Sequence, residues 1–168
     1  MAQWELTVDE IMAILPETPG RIEAVTDGLT EAQLRSAPEP GAWSINDVLA
    51  HLRACHDVLG GSLLRIVTED HPAWKGMNPR TWIRKTDYPD WQFAPAFTAF
   101  KTQRADLLAV VAPLPPDAWE RTATVTGMVG ETYERTARYF GAWMAGHERA
   151  HWKHIERLAD QATARQRR

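Results

Sequence analysis

Two segments of the chain repeat apolar residues at intervals of three and four, which restricts both of them to amphipathic helices. One covers residues 45–67, and the other begins near Gly130 or Glu131 and continues to about residue 161. His51 lies on or beside the apolar stripe of the first, and His147 and His151 lie on that of the second. An imidazole on a buried helix face needs a polar partner, so the fold must supply one to each histidine.

Two further helices are predicted. The sequence TVDE at Thr7 matches a capping box and starts the first of them. Pro16 and Pro19 predict a kink or a break, after which the helix continues over residues 21–27 and stops at a glycine. The other helix, over about residues 95–112, carries an apolar face of phenylalanine, leucine and valine and ends at a proline-rich turn.

The connections between the helices are unequal in length. Residues 69–95 are rich in helix-breaking residues (Pro72, Gly76, Pro79 and Pro89) and contain three tryptophans, Trp74, Trp82 and Trp91. They therefore predict a long crossover connection that aromatic side chains anchor to the bundle. Residues 119–129 alternate threonine and valine and indicate either a short extended segment or an ordered loop. The expected fold is all-α: one four-helix-bundle domain over residues 1–168, with a long crossover connection and a tail that frays from about residue 161.

Composition excludes several classes of protein. The formal net charge of −3 lacks the basic excess of a nucleic-acid-binding protein. The single cysteine, Cys55, forms no intrachain disulfide, and no apolar run approaches the length needed to cross a membrane. With no apolar leader at its beginning, the chain is expected to be cytoplasmic and to act on a small molecule.

The spacing of the histidines suggests a metal site. His147 and His151 are four residues apart, just over one helical turn, and project from the same face. His51 on a second helix supplies a third imidazole. Imidazole binds zinc, nickel, copper and iron, and a catalytic zinc commonly has three protein ligands and one open position. Taken alone, a His-x-x-x-His pair is a weak signal, and satisfied or exposed histidines are the competing interpretation.

Three more residues are candidates for a role beside the metal. His154 is at the edge of the apolar stripe, where a donor behind the ligands or a surface side chain is favoured over a fourth ligand. Cys55 shares the face of His51, so it is either a thiolate ligand or, as we favour, a small buried hydrophobe. Arg104 either binds an anionic group of the substrate or, as we favour, forms a structural ion pair or extends to solvent.

The segments PGAWSINDVLAHL at residues 40–52 and GHERAHWKHI at residues 146–155 resemble the DinB/YfiT-like superfamily. Three features carry the resemblance: the Trp-Ser pair at residues 43–44, just before the helix of residues 45–67; the His-Leu pair at residues 51–52; and the His-x-x-x-His of residues 147–151. The resemblance also includes residues 18–19, 29–34 and 104–108, so it spans nearly the whole chain. One departure is His154, where relatives often have glutamine.

The resemblance implies a four-helix bundle that holds a divalent metal, often zinc or nickel and less often iron, through His51, His147 and His151. Relatives include enzymes that use low-molecular-weight thiols such as mycothiol or bacillithiol for S-transfer or isomerisation. No strong general-base motif accompanies the histidines, which favours thiol-dependent transferase or isomerase chemistry. No residue other than the ligands is assigned to catalysis.

Three hypotheses remain open. The leading one is a metal-dependent enzyme, with hydrolysis as the alternative to thiol chemistry because a bound water can replace the thiol. The second is a non-catalytic metal-binding or stress-response module, whose site would be closed by four protein ligands. The third is a bundle without metal, whose helix faces form a homodimer.

Overall fold

The computed structural model describes residues 5–127 and 129–166. Their regular elements are seven α-helices and three short strands: α1 (Val8–Thr26), α2 (Glu31–Leu34), α3 (Ile45–Cys55), α4 (Gly61–Thr68), β1 (Ala73–Lys75), α5 (Pro79–Trp82), α6 (Phe93–Val111), β2 (Thr122–Thr126), β3 (Thr132–Thr136) and α7 (Ala137–Gln166). A π-helical turn, His56–Gly60, joins α3 to α4, so the two form one long helix. Three 3₁₀ turns complete the set: Ile83–Lys85, Tyr88–Asp90 and Pro116–Glu120.

Four long helices build the core: α1, the joined α3 and α4, α6 and α7. Helix α7 packs against α1, α3 and α4, and α3 also packs against α6. The predicted four-helix bundle is thereby confirmed. Its buried side chains form two clusters, one around Leu59 and Phe140 and the other around Leu49 and Phe100. No helix within residues 5–127 or 129–166 combines the length and apolar character needed to cross a membrane.

Helix α1 is continuous, so of the kink or break predicted at its prolines, the break is wrong. Pro16 and Pro19 lie inside the helix, after a capping box formed by Thr7 and Glu10 as expected. Pro19 has no N–H to donate to the carbonyl of Leu15, four residues earlier. The buried Arg104 donates to that carbonyl instead, at 2.8 Å. A side chain from α6 therefore satisfies the acceptor that proline leaves free.

A small sheet replaces the expected start of the last helix. Strands β2 and β3 are antiparallel, with Val125 opposite Tyr133, and β1 adds in parallel beside β2. Residues 132–136 are therefore a strand where a helix from Gly130 or Glu131 was predicted, and Tyr133 is exposed rather than inward-facing. The β-branched threonines and valine of this region favour extended backbone, and only the pairing of the strands decides the matter.

Helix α7 extends to Gln166, past residue 161, from which the sequence predicts a frayed tail. Fraying stays a prediction. Arg165 donates to the carbonyl oxygen of Pro38 at 2.7 Å, and this contact ties the end of α7 to the loop before α3.

The long connection carries short elements and is fastened to the bundle by polar contacts as well as aromatic ones. Asp57, in the π turn, accepts hydrogen bonds from Trp82 Nε1 at 2.9 Å, from the Tyr88 hydroxyl at 2.8 Å and from Gln103 Nε2 at 2.7 Å. The buried guanidinium of Arg53 lies 3.8 Å from the centre of the Tyr88 ring. A π turn inserts one residue into a helix, and here it contributes the carboxylate that holds the connection.

Candidate metal centre

Three imidazoles meet where α3 and α7 face each other. His51 comes from the middle of α3, and His147 and His151 lie one turn apart on α7. The Nε2 atom of His147 lies 3.3 Å from that of His51 and 3.1 Å from that of His151. One ligand atom of each residue lies within 4.8 Å of those of the other two. The structure therefore brings together the three histidines that the sequence proposes as ligands.

The spacing of these nitrogen atoms fits a divalent cation. Two imidazole nitrogens bound to zinc at about 2.0–2.1 Å in tetrahedral geometry are about 3.3 Å apart, close to the 3.3 and 3.1 Å between the Nε2 atoms here. Hydrogen bonds among the rings cannot satisfy all three nitrogens. His147 Nε2 lies beside two other nitrogens but carries either one proton or one lone pair, so it can form a hydrogen bond with only one of them. A cation at the centre would accept all three lone pairs at once.

Burial keeps the three imidazoles neutral. It lowers the pKa of His51 to about 4, with the neighbouring His147 and the guanidinium of Arg80 acting in the same direction. The pKa of His151 falls to about 3, mainly through burial and then through the other histidines. The pKa of His147 is also lowered by burial, although Glu148 opposes the shift. All three residues therefore offer unprotonated nitrogens at neutral pH, as metal ligation requires.

Trp43 holds two of the rings in place. Its indole stacks on His151, with ring centroids 6.0 Å apart, and lies at 5.0 Å and a tilt of 53° from His51. Within the described part of the chain, the Nδ1 atoms of His147 and His151 are buried and have no hydrogen-bond partner. Ring orientation here depends on packing rather than on the polar partners that usually orient metal ligands.

Cys55 lies beside the cluster and outside it. Its Sγ atom is 3.4 Å from His51 Nε2, and it lines the same cavity as His51 and His147. Among the residues described, only the three histidines have ligand atoms that all lie within 4.8 Å of one another. Burial raises the pKa of the Cys55 thiol above its usual range. The geometry therefore supports the favoured interpretation of a small buried residue over that of a thiolate ligand.

Arg104 does not face the metal site. Its guanidinium is 2% exposed and pairs with both carboxylate oxygens of Glu148, the residue after His147; the bond from Nη1 to Oε2 is 2.8 Å long. A substrate group cannot reach a guanidinium that is enclosed in this way, so the structure supports the expected ion pair. Because Glu148 adjoins His147, this pair fixes the position of α7 against α6.

His154 points toward a different part of the surface. It lines a cavity with Glu39 and Arg157, away from His51 and His147, and it is half-buried. Burial and the charge of Arg157 lower its pKa, and its own charge contributes to lowering the pKa of His151. It is close enough to influence the site electrostatically and does not belong to the group of ligand atoms.

Arg80 is a further residue near the site, and no sequence pattern indicates it. It lies on α5, in the long connection, and lines two cavities that reach His51. Its charge contributes to lowering the pKa of each of the three histidines. No helical period or motif links α5 to the histidines; α5 packs on α3, and the connection that carries it is anchored at Asp57.

Comparison with known proteins places this chain in a family. The model of the DinB superfamily matches residues 14–155, which include all three histidines. This chain belongs to the DinB superfamily. The resemblance seen in the sequence is thereby confirmed.

Two curated relatives of this DinB superfamily member are named as hydrolases. "Putative metal-dependent hydrolase GK0616" of Geobacillus kaustophilus (strain HTA426) is 27% identical over 148 residues, which cover 85% of this chain and 80% of the relative. A "Putative metal-dependent hydrolase" of Geobacillus thermodenitrificans (strain NG80-2) is 31% identical over 83 residues, 48% of this chain and 45% of the relative.

A solved structure shares the fold. YfiT from Bacillus subtilis, described as "a probable metal-dependent hydrolase with an unusual four-helix bundle topology", matches with a TM-score of 0.75. The match covers 94% of this chain and 90% of YfiT at 18% sequence identity. At that identity the likeness establishes the bundle and its topology.

Proposed function

We propose that this protein is a metal-dependent hydrolase of a small molecule, with one divalent cation held by His51, His147 and His151. The convergence of three neutral imidazoles, with Nε2 atoms 3.1 and 3.3 Å apart, is the observation that carries the proposal. The names of the two curated relatives support hydrolysis as the reaction. Zinc is the proposed metal because these spacings suit its tetrahedral coordination, and nickel is the second choice.

The protein's own residues prepare the site in three ways. Burial keeps the ligand nitrogens unprotonated, Trp43 fixes two of the rings, and two cavities lined by His51 give small molecules access. A divalent cation, when bound, supplies Lewis acidity and a water whose pKa is near 7. Three protein ligands, rather than four, leave room for that water and for a substrate oxygen.

Thiol-dependent S-transfer or isomerisation stays a prediction and ranks second. It is favoured by one feature of the site: the described group of metal-ligating side chains contains no carboxylate that could act as a general base. The thiol of Cys55 is no substitute for a bound low-molecular-weight thiol, since burial raises its pKa and keeps it protonated at neutral pH.

Metal content and turnover together test the proposal. Protein purified without a histidine tag is stripped with a chelator, reloaded with zinc or nickel, and assayed with p-nitrophenyl acetate in the presence and absence of added thiol. We expect one metal per chain, hydrolysis that requires the metal and not the thiol, and loss of both metal and hydrolysis in His151→Ala. His154→Ala is the matched control and should retain its metal.

Two outcomes would count against hydrolysis. Turnover that requires a thiol would favour the transferase alternative. Stoichiometric metal without turnover of any ester, amide or thiol substrate would favour a non-catalytic metal-binding module.

A further inference from the structure

We propose that the substrate of the three-histidine site is an amphiphilic acid, with an anionic group bound by Arg80 and an apolar arm in an adjoining aromatic cavity. The inference rests on the proposed hydrolase function and names the substrate class for it. Two cavities at the histidines, and a third that adjoins one of them, carry the argument.

Two of the cavities meet at His51 and Arg80. The outer cavity has a volume of about 720 Å³ and is lined by Trp43, Asp47, His51, Arg80 and Arg84 among others. The inner cavity is smaller, about 220 Å³, and is lined by residues that include His51, Cys55, His147 and Arg80. A group bound to Arg80 therefore lies beside the metal ligands whichever cavity it enters.

The guanidinium of Arg80 is available to bind an anion. Within the described residues no carboxylate pairs with it, and its backbone N–H alone is engaged, with Asn78 Oδ1 at 2.9 Å. The carboxylate of Asp47 lines the outer cavity but is occupied at the start of α3, where Oδ2 accepts from the N–H and hydroxyl of Ser44. The planar fork of donors on arginine matches a carboxylate or a phosphate.

The anchoring of the long connection gives Arg80 a defined position. Trp82, two residues later, donates to the carboxylate of Asp57, and Tyr88 donates to the same oxygen and stacks on Arg53. These contacts fix α5 to the α3 side of the bundle. A receptor group on a held segment loses less conformational freedom when it binds its ligand than one on a free loop.

The aromatic cavity continues from the inner cavity. It has a volume of about 370 Å³, and four residues line both cavities: Leu59, Asn78, Pro79 and Trp143. Its wall is completed by the aromatic side chains Trp74, Tyr133, Tyr139 and Phe140. The two charged side chains that line it, Glu131 and Arg135, have opposite signs. Such a cavity selects an apolar group, whereas Arg80 selects the anion.

Binding of small probes to metal-free protein tests the substrate class separately from hydrolysis. The probes are 4-phenylbutyrate, its neutral amide, butyrate without the ring, and phenyl phosphate. Quenching of tryptophan fluorescence reports binding, because Trp74 and Trp143 line the aromatic cavity, and calorimetry provides the dissociation constants. Comparison of the carboxylate with the phosphate shows which oxyanion the site prefers.

The variants are Arg80→Gln and, as a matched control, Arg84→Gln, which removes an equal charge from the outer cavity alone. We expect Arg80→Gln to weaken binding of 4-phenylbutyrate at least tenfold and Arg84→Gln to weaken it less than twofold. The wild-type protein should bind both the neutral amide and butyrate at least tenfold more weakly than 4-phenylbutyrate. The amide should not distinguish wild type from Arg80→Gln.

Equal effects of the two arginine variants would overturn the assignment to Arg80, because a general electrostatic attraction would account for them. Equal affinities for butyrate and 4-phenylbutyrate would overturn the apolar arm. If Arg80-dependent binding holds while metal-dependent ester hydrolysis is absent, the proposed function fails alone. If hydrolysis holds and binding is indifferent to Arg80, the substrate class fails alone.

Discussion

The buried ion pair between Arg104 and Glu148 provides a quantitative test of the packing around the site. Both side chains are 2% exposed, and Arg104 also donates to the carbonyl of Leu15 that Pro19 leaves free. Replacing Arg104 with methionine leaves a buried carboxylate without its counter-charge and a buried carbonyl without its donor. Loss of one partner of a buried pair costs about 3–5 kcal/mol, and an unsatisfied carbonyl costs about 1–3 kcal/mol.

We therefore expect Arg104→Met to lower the free energy of unfolding by about 4 kcal/mol or more, measured by urea titration with far-ultraviolet circular dichroism. In the double variant Arg104→Met with Glu148→Leu, the uncompensated charge is gone and only the cost at the Leu15 carbonyl should remain, about 1–3 kcal/mol. The control is Arg138→Met, which breaks the exposed pair with Glu120.

An exposed pair is worth less than about 1 kcal/mol, so the control should change little. An Arg104→Met protein as stable as the Arg138→Met protein would refute the reasoning. So would a double variant that is less stable than the single one, because it would show that the carboxylate has another partner.

Three further predictions concern the surroundings of the metal site. Cys55 in the native metal-free protein should react with Ellman's reagent at pH 8 at least tenfold more slowly than in urea, because burial raises its pKa; equal rates would contradict its burial. The lowered pKa values of His51, His56 and His151 mean that the unfolded state binds more protons below about pH 6.5. The melting temperature of metal-free protein should therefore fall from pH 6.5 to about pH 4, and a flat profile would show that these rings are solvated. Asp57→Asn removes a charged acceptor of three hydrogen bonds and should make residues 69–92 several-fold more sensitive to limited proteolysis; unchanged cleavage would show that the connection is held elsewhere.

The sequence predicts those parts of the site that depend on helical periodicity. His51, His147 and His151 stand on apolar stripes, and a stripe directs each side chain to the interior of a bundle whatever its neighbours are. Ser44 starts α3 through its capping box, as its position before the stripe indicates. Local rules of this kind determine which face of each helix carries the ligands.

The parts that escape prediction depend on contacts between distant segments. Helix α1 tolerates Pro19 because Arg104, 85 positions later, supplies the missing donor. Strand β3 forms because β2 pairs with it, against the helical reading of the same residues. Arg80 lies on the connection that Trp82 ties to Asp57 by a hydrogen bond, and no local pattern records that contact.

X-ray absorption spectroscopy of the zinc-loaded protein tests the central claim, an open site with three histidine ligands, most directly. The account predicts three imidazole nitrogens and one or two oxygen atoms at about 2.0–2.2 Å from zinc. It also predicts no sulfur at about 2.3 Å, because Cys55 lies outside the cluster of ligand atoms. A sulfur scatterer, or four imidazoles and no oxygen, would contradict the open site, and fewer than three imidazoles would contradict the ligand set.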